Sequence, residues 1–275
     1  VTMASAAGSL FARAYAGHTG VDPYTTAVSD VYQDLFGEGI FTGKGLYDVD
    51  AFTAVLEGRV PENALLSHDL FEGLYARTGL VTDVEVVDDY PPSVLGHARR
   101  QHRWVRGDWQ ILWWLFPVVP SRVGIVRNRL PLLARWKILD NLRRSLVPPA
   151  TVALLIAGWT VLPGRPIVWT AIALAGVAYP VVARLVAALA GPRRGQGWRL
   201  YLREVAEEAG LAVVRAALQV TLMANEAWER AHAVLVTLVR VSITRRRLTR
   251  SFTAPAVAAT ASCIESTRAT ESSRC

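Results

Sequence analysis

Three short segments combine residue types and spacings suited to chemistry. In LSHDLFEG, residues 66–73, Ser67 is placed to cap a helix and Asp69 falls in its first turn, where backbone N–H groups and the helix dipole favour an ionised carboxylate. An ionised carboxylate can accept the proton of a sugar hydroxyl, so Asp69 is a candidate general base with Glu72 beside it. The same two acids would also serve simply to complement the dipole. In RRQHRWVRGD, residues 99–108, a helix brings Arg100, Arg103 and Trp104 to i, i+3 and i+4, so two guanidinium groups and an indole share one face. Forked cations match diphosphate oxygens and a flat indole stacks on a sugar ring. A basic helix at a membrane surface has the same composition. Gly96 and Gly107 lie along that face and leave room for a ligand. The third segment, GEGIFTGKG at 37–45, surrounds Lys44 with four glycines, which suits a phosphate- or sugar-contacting loop as well as a plain flexible turn. Its glycine spacing, and the lack of Ser or Thr after Lys44, miss the P-loop pattern. Asp48 and Asp50 form a DxD pair able to share a divalent metal, but Asp50 stands at the N-cap place of a helix over 51–57, which is the commoner use.

The elements that must position these residues begin with an acidic, mixed segment. Residues 1–92 hold 4 basic and 14 acidic side chains, a balance of −10, whereas 93–150 hold 11 against 2, and 151–275 hold 15 against 7. An acidic piece followed by a basic strip suits contact with phosphates or an anionic membrane surface. Residues 5–16 and 47–58 read as helices, and Val84 with Val86 as one face of a short strand. The chain is 52% hydrophobic and 19% charged, which excludes a disordered or collagen-like protein. Cys263 and Cys275 define neither a disulfide framework nor a zinc site.

Residues 145–164 contain no charge, and 166–183 are likewise uncharged, with a turn at Gly164, Arg165 and Pro166 between them. The pair is expected to form a transmembrane hairpin kinked or shortened by Pro148, Pro149 and Pro180. Arg135, Lys137, Arg143 and Arg144 before it, and Arg184, Arg193, Arg194 and Arg199 after it, put both ends in the cytoplasm. Leu211, Val214, Leu218, Leu222, Trp228 and Leu235 then recur at helical spacing, with Arg215, Glu226 and Glu229 interleaved, as in an amphipathic membrane-associated helix. The Ser, Thr and Ala-rich run at 249–275 lacks periodicity and reads as disordered. Val1 opens the chain without an initiator Met, and the chain is expected to be part of something longer. A basic pI alone does not make a nucleic-acid binder, because the cations cluster around the apolar spans.

With SHDLFEG followed by RQHRW and then the hairpin, residues 21–248 resemble the cyclic β-1,2-glucan synthases of bacterial inner membranes (glycosyltransferase family 84), relatives of the processive family-2 glycosyltransferases. The resemblance implies an α/β fold: a partial GT-A glycosyltransferase domain over 1–120. After it would come a basic juxtamembrane helix over 121–144, the transmembrane helical hairpin over 145–190, amphipathic helices over 191–248 and the tail. It implies that Asp69 is the catalytic base, that Arg100 and Arg103 hold the donor diphosphate and that Trp104 meets the acceptor, these three filling a (Q/R)xxRW motif. Lys44 and Glu72 would belong to the site. The implied reaction is inverting transfer from UDP-glucose to a β-glucan acceptor at the lipid bilayer, without nucleic acid. A divalent cation, Mg or Mn, would be held by a donor-binding half lying before Val1, without which this chain alone is expected to be inactive. The competing expectation is a catalytically silent membrane anchor or association module.

Overall fold

In a computed structural model, residues 9–15, 30–65, 68–84, 90–192 and 196–244 are described. Among the described residues eight α-helices run in order: α1 Leu10–Tyr15, α2 Val31–Phe36, α3 Val49–Leu56, α4 Asp69–Ala76, α5 Val94–Gln110, α6 Leu132–Thr160, α7 Pro166–Ala187 and α8 Trp198–Val239. Between α5 and α6 lie a 3₁₀ turn, Leu112–Leu115, and one antiparallel hairpin, β1 Val118–Ser121 with β2 Gly124–Arg127. The described residues are thus mostly helical, with a single two-stranded sheet. The α/β expectation is corrected to that extent. The strand expected around Val86 falls among residues 85–89, outside the described residues, as does the 249–275 tail.

Local sequence explains the element boundaries. Asp30 caps α2 through Tyr32 N–H and Gln33 N–H, and Gly37 closes it at φ 68°. Helix α3 is capped by Asp48, not by Asp50 as its sequence position suggested; Asp48 accepts from Ala51 N–H at 2.8 Å, and Asp50 falls in the first turn. Helix α5 starts after Pro91 and Pro92, with the Ser93 hydroxyl accepting from Gly96 N–H at 3.1 Å. A proline pair disfavours helix before it and the serine satisfies a free amide after it.

The core joins α4 to the 3₁₀ turn, β1 and the first half of α6. Leu70, Phe71 and Leu74 pack with Ile111, Trp114, Val119, Leu130, Ala134 and Ile138, and the Phe71 and Trp114 rings meet edge to face at 4.9 Å. Helix α5 rests on α8 through Val105, Ala233 and Val234, and Trp109 Nε1 donates to Ser145 Oγ of α6 at 2.9 Å.

Helix α6 is continuous across the boundary expected at residue 145 and runs through Pro148 and Pro149. A proline at 148 removes the N–H that would meet the Arg144 carbonyl. Arg230 of α8 supplies a substitute, its Nη1 donating to that carbonyl at 3.3 Å. The basic strip before the hairpin is internal at one place: Lys137 is 3% exposed, while Arg143, itself exposed, and Arg144 pair with buried Asp140, at 2.7 and 3.3 Å. Charge counting assigned all of these cations to the cytoplasmic ends of the hairpin, whereas Lys137 serves the protein's own interior.

The tip of the hairpin is closed by Trp169, which lies against Gly158 so tightly that a Cβ there would collide with the ring. Trp159 Nε1 donates to Thr170 Oγ1 at 3.0 Å, and Trp169 Nε1 to the Pro163 carbonyl at 3.0 Å. Among the described residues one helix is long and apolar enough to cross a membrane, over Pro166–Ala183, with mean hydropathy 1.8 and 6% of that window buried. The uncharged end of α6, from Ser145 to Thr160, spans about 24 Å at about 1.5 Å per residue, short of a hydrocarbon core of roughly 30 Å. Two full spans were expected; one helix meets the length and composition. Arg215, one of the charges interleaved along α8, donates from Nε to the Ala14 carbonyl of α1 at 2.5 Å.

Candidate active site

Asp69 opens α4 and is exposed at the helix start. The cap is His68, whose Nδ1 accepts from Phe71 N–H at 3.4 Å; Ser67, expected in that role, lies outside the described residues. Glu72 turns back on the same helix, its Oε1 accepting from His68 N–H at 3.1 Å. His68 and Glu72 therefore form a reciprocal capping pair.

The glycine loop comes to Asp69 from the other side. Gly43 has φ 85°, a left-handed conformation, and a Cβ on it would lie 2.5 Å from Asp69 Oδ2. Only a glycine allows both the backbone angle and the approach. Lys44, next in the chain, is exposed at this edge. The loop is held firmly at its root. Buried Asp30 accepts from Ile40 N–H at 2.9 Å, Gly39 N–H donates to the Thr78 carbonyl at 2.7 Å, and Lys137 Nζ donates to the Gly39 carbonyl at 3.0 Å. Burial pushes the Lys137 ammonium below its ordinary value, with Glu38 and Asp30 pulling the other way. Phe41 packs on Gly73 of α4, where a Cβ would come within 2.6 Å of Phe41 Cβ.

Helix α5 approaches the start of α4 through Gly107, where a Cβ would stand 3.2 Å from His68 Cδ2. The room that Gly107 was expected to leave for a ligand is filled by the imidazole, and Gly96 sits over its own N-cap, close to Ser93 Oγ and Pro91. Arg103 and Trp104 lie one turn before Gly107 on the same face and are exposed, about 5–6 Å along the helix axis. Arg100 lies a further turn back and stacks on the Trp104 ring at 4.8 Å, with the Tyr90 ring at 5.6 Å. One face of the indole thus meets a guanidinium, a contact that the spacing of the motif left unassigned. Trp104 remains 37% exposed. The structure therefore brings Asp69, Gly43 and His68 together, puts Arg103 and Trp104 on the helix face leading to His68, and sets Arg100 behind Trp104.

Sequence reasoning missed Gly43 and Asp108. A small residue one turn beyond Trp104 was the available signal for a side chain seated from a facing helix. Among the described residues no group of three or more His, Cys, Asp or Glu side chains is arranged to hold a metal ion, and Asp48 is committed to its cap. The described residues therefore do not fit a bound divalent cation.

Fold and site together define a largely helical protein in which the helix start bearing Asp69 is packed, through His68, against an arginine- and tryptophan-bearing helix, beside one helix apolar and long enough to cross a membrane. No protein-family model matches the chain, and no solved structure matches it. Over 239 residues it is 41% identical to the cyclic β-(1,2)-glucan synthase NdvB of Rhizobium meliloti (strain 1021), a match covering 86% of this chain and 8% of that protein. Along the matched stretch the chain belongs to the cyclic β-(1,2)-glucan synthases.

Proposed function

We propose that the chain supplies the acceptor side of a membrane-associated inverting glucosyltransferase that builds β-1,2-glucan from UDP-glucose. The observation that carries this reading is the seating of Gly107 on His68, which sets the Arg103–Trp104 face of α5 beside the helix start that bears Asp69. In this reading Asp69 takes the proton of the acceptor 2-hydroxyl as its oxygen attacks the anomeric carbon. The bond from that carbon to the diphosphate breaks on the opposite side, and UDP leaves with its growing charge met by Arg103, with Arg100 behind it. Trp104 offers its free face to a sugar ring, and Lys44 borders the site. The partial GT-A fold over 1–120 and a metal-binding donor half elsewhere in the protein belong to the same proposal.

The proposal places the α6–α7 hairpin in the bacterial inner membrane with the site on the cytoplasmic face. Its support is the exposed apolar surface, including Ile156, Trp159, Ile167, Ile172, Tyr179 and Val182, each more than half exposed. The test is incorporation of radiolabelled glucose from UDP-glucose into β-1,2-glucan by membranes containing the full-length protein. Arg103→Ala is expected to lower the rate about 10²–10³-fold, the usual cost of a lost charge-stabilising donor; an unaltered rate would remove the reading.

A further inference from the structure

The two nitrogens of the His68 imidazole have different partners on different helices. Nδ1 accepts from Phe71 N–H at 3.4 Å within α4. A ring nitrogen that accepts carries no proton, so Nε2 carries it. Nε2 lies 3.3 Å from Asp108 Oδ1, and the side chains are 9% and 19% exposed. The same carboxylate oxygen accepts from Asn141 Nδ2 of α6 at 3.2 Å. One imidazole therefore ties the first turn of α4 to α5 and, through Asp108, to α6. Gly107 provides the seat. On one side of this tie the next residue is Asp69; on the other, Arg103 and Trp104 lie about one turn from the glycine. Glu72 holds the His68 backbone amide but makes no bridge to α5 in that contact.

We infer that His68 is a positioning residue, which through Asp108 sets the Asp69 carboxylate relative to the Arg103–Trp104 face. The inference rests on the reading of Asp69 as the base. It differs from a capping role in a way that two substitutions separate. In His68→Asn the carboxamide oxygen takes the place of Nδ1 and keeps the cap, but the side chain ends short of Asp108. In His68→Gln the carboxamide nitrogen takes the place of Nε2 and keeps the donation to Asp108, while the cap is lost.

The experiment measures steady-state glucan synthesis from UDP-glucose by membranes containing the full-length protein, at equal protein content. His68→Asn is expected to lower kcat about tenfold or more with KM for the donor little changed, because a displaced base costs the reaction step and not donor binding. His68→Gln retains most of the rate, and Asp108→Ala matches His68→Asn, with the double variant no worse than either. The reverse order, or equal losses in Asn and Gln variants, would assign His68 to capping alone and overturn the inference. Asp69→Asn is run alongside. If it keeps full activity, the assignment of the base is wrong; if it is inactive while His68→Asn keeps full kcat, only the positioning role is wrong.

Discussion

At the scale of single residues, chemistry and geometry constrain different positions. The local placement of Asp69, Arg103 and Trp104 was legible, a carboxylate in a first helical turn and a guanidinium and an indole on one helical face. Gly43 was not, because what fixes it is the carboxylate it touches, brought there by the fold and not by neighbours in sequence. Gly43→Ala must place a Cβ against Asp69 and hold a left-handed angle. The backbone angle alone costs on the order of 1–2 kcal/mol, and glucan synthesis should fall well beyond what the lost stability explains; wild-type activity would show that the contact is not felt. His97 offers a separate test. Buried beside Tyr90, whose hydroxyl lies 3.1 Å from Nδ1, it is pushed down from 6.5 to about 4, by burial first and then by Arg100 and Arg230. The folded protein resists a proton that the unfolded chain binds, so stability is full above about 6.5 and is lost as pH falls towards about 4. The unfolding midpoint in detergent should drop across that window, and His97→Gln should flatten the drop. A wild-type midpoint constant across it would contradict the assignment.

Helices were legible where periodicity and caps agreed, as in α5, and misjudged where tertiary partners decided the outcome. Pro148 and Pro149 lie inside α6, whose uncharged end is short of a full span as they suggested, but the helix continues through them, and Arg230 reaches from α8 to a carbonyl that Pro148 leaves without its helical partner. Arg230→Met should cost about 1–3 kcal/mol, the usual penalty for an unmet buried polar group. Pro148→Ala returns the missing N–H, so the same Arg230 change should cost less in that background. Additive losses in a denaturant-based double-mutant cycle would show no link between the two. Lys137 teaches the same lesson. Sequence counted it among the cations that put the hairpin's ends in the cytoplasm, but its ammonium holds the root of the glycine loop through the Glu38 and Gly39 carbonyls, at 3.3 and 3.0 Å. Lys137→Met should leave those carbonyls and buried Asp30 poorly matched, loosen the loop and speed proteolytic cleavage within residues 37–45. Unchanged cleavage would show that the loop is held without Lys137, by its contacts to Asp30, Thr78 and Gly73.

For the molecule as a whole, composition pointed to a membrane before any element was placed, while the mixed α/β architecture expected of residues 1–120 gave way to helices and one short β-hairpin among the described residues. Strand signals in so short a stretch were weak, and a sheet is specified by partners more than by local sequence. The exposed apolar face of α7 is the feature on which the proposed contact with lipid rests. A charge at its middle, such as Ile172→Arg, costs about 2.5–3.5 kcal/mol on insertion scales and should increase the fraction of protein extracted by alkaline carbonate; an unchanged fraction would put α7 outside the bilayer. In the proposed function the carboxylate opening α4 takes the acceptor's proton during sugar transfer. The most direct measurement of that step is the single-turnover rate of Asp69→Asn in membranes saturated with UDP-glucose, with donor binding followed in the same samples. Binding should persist while transfer falls about 10²–10⁴-fold, as when a general base is lost; transfer at the wild-type rate would show that Asp69 is not the base.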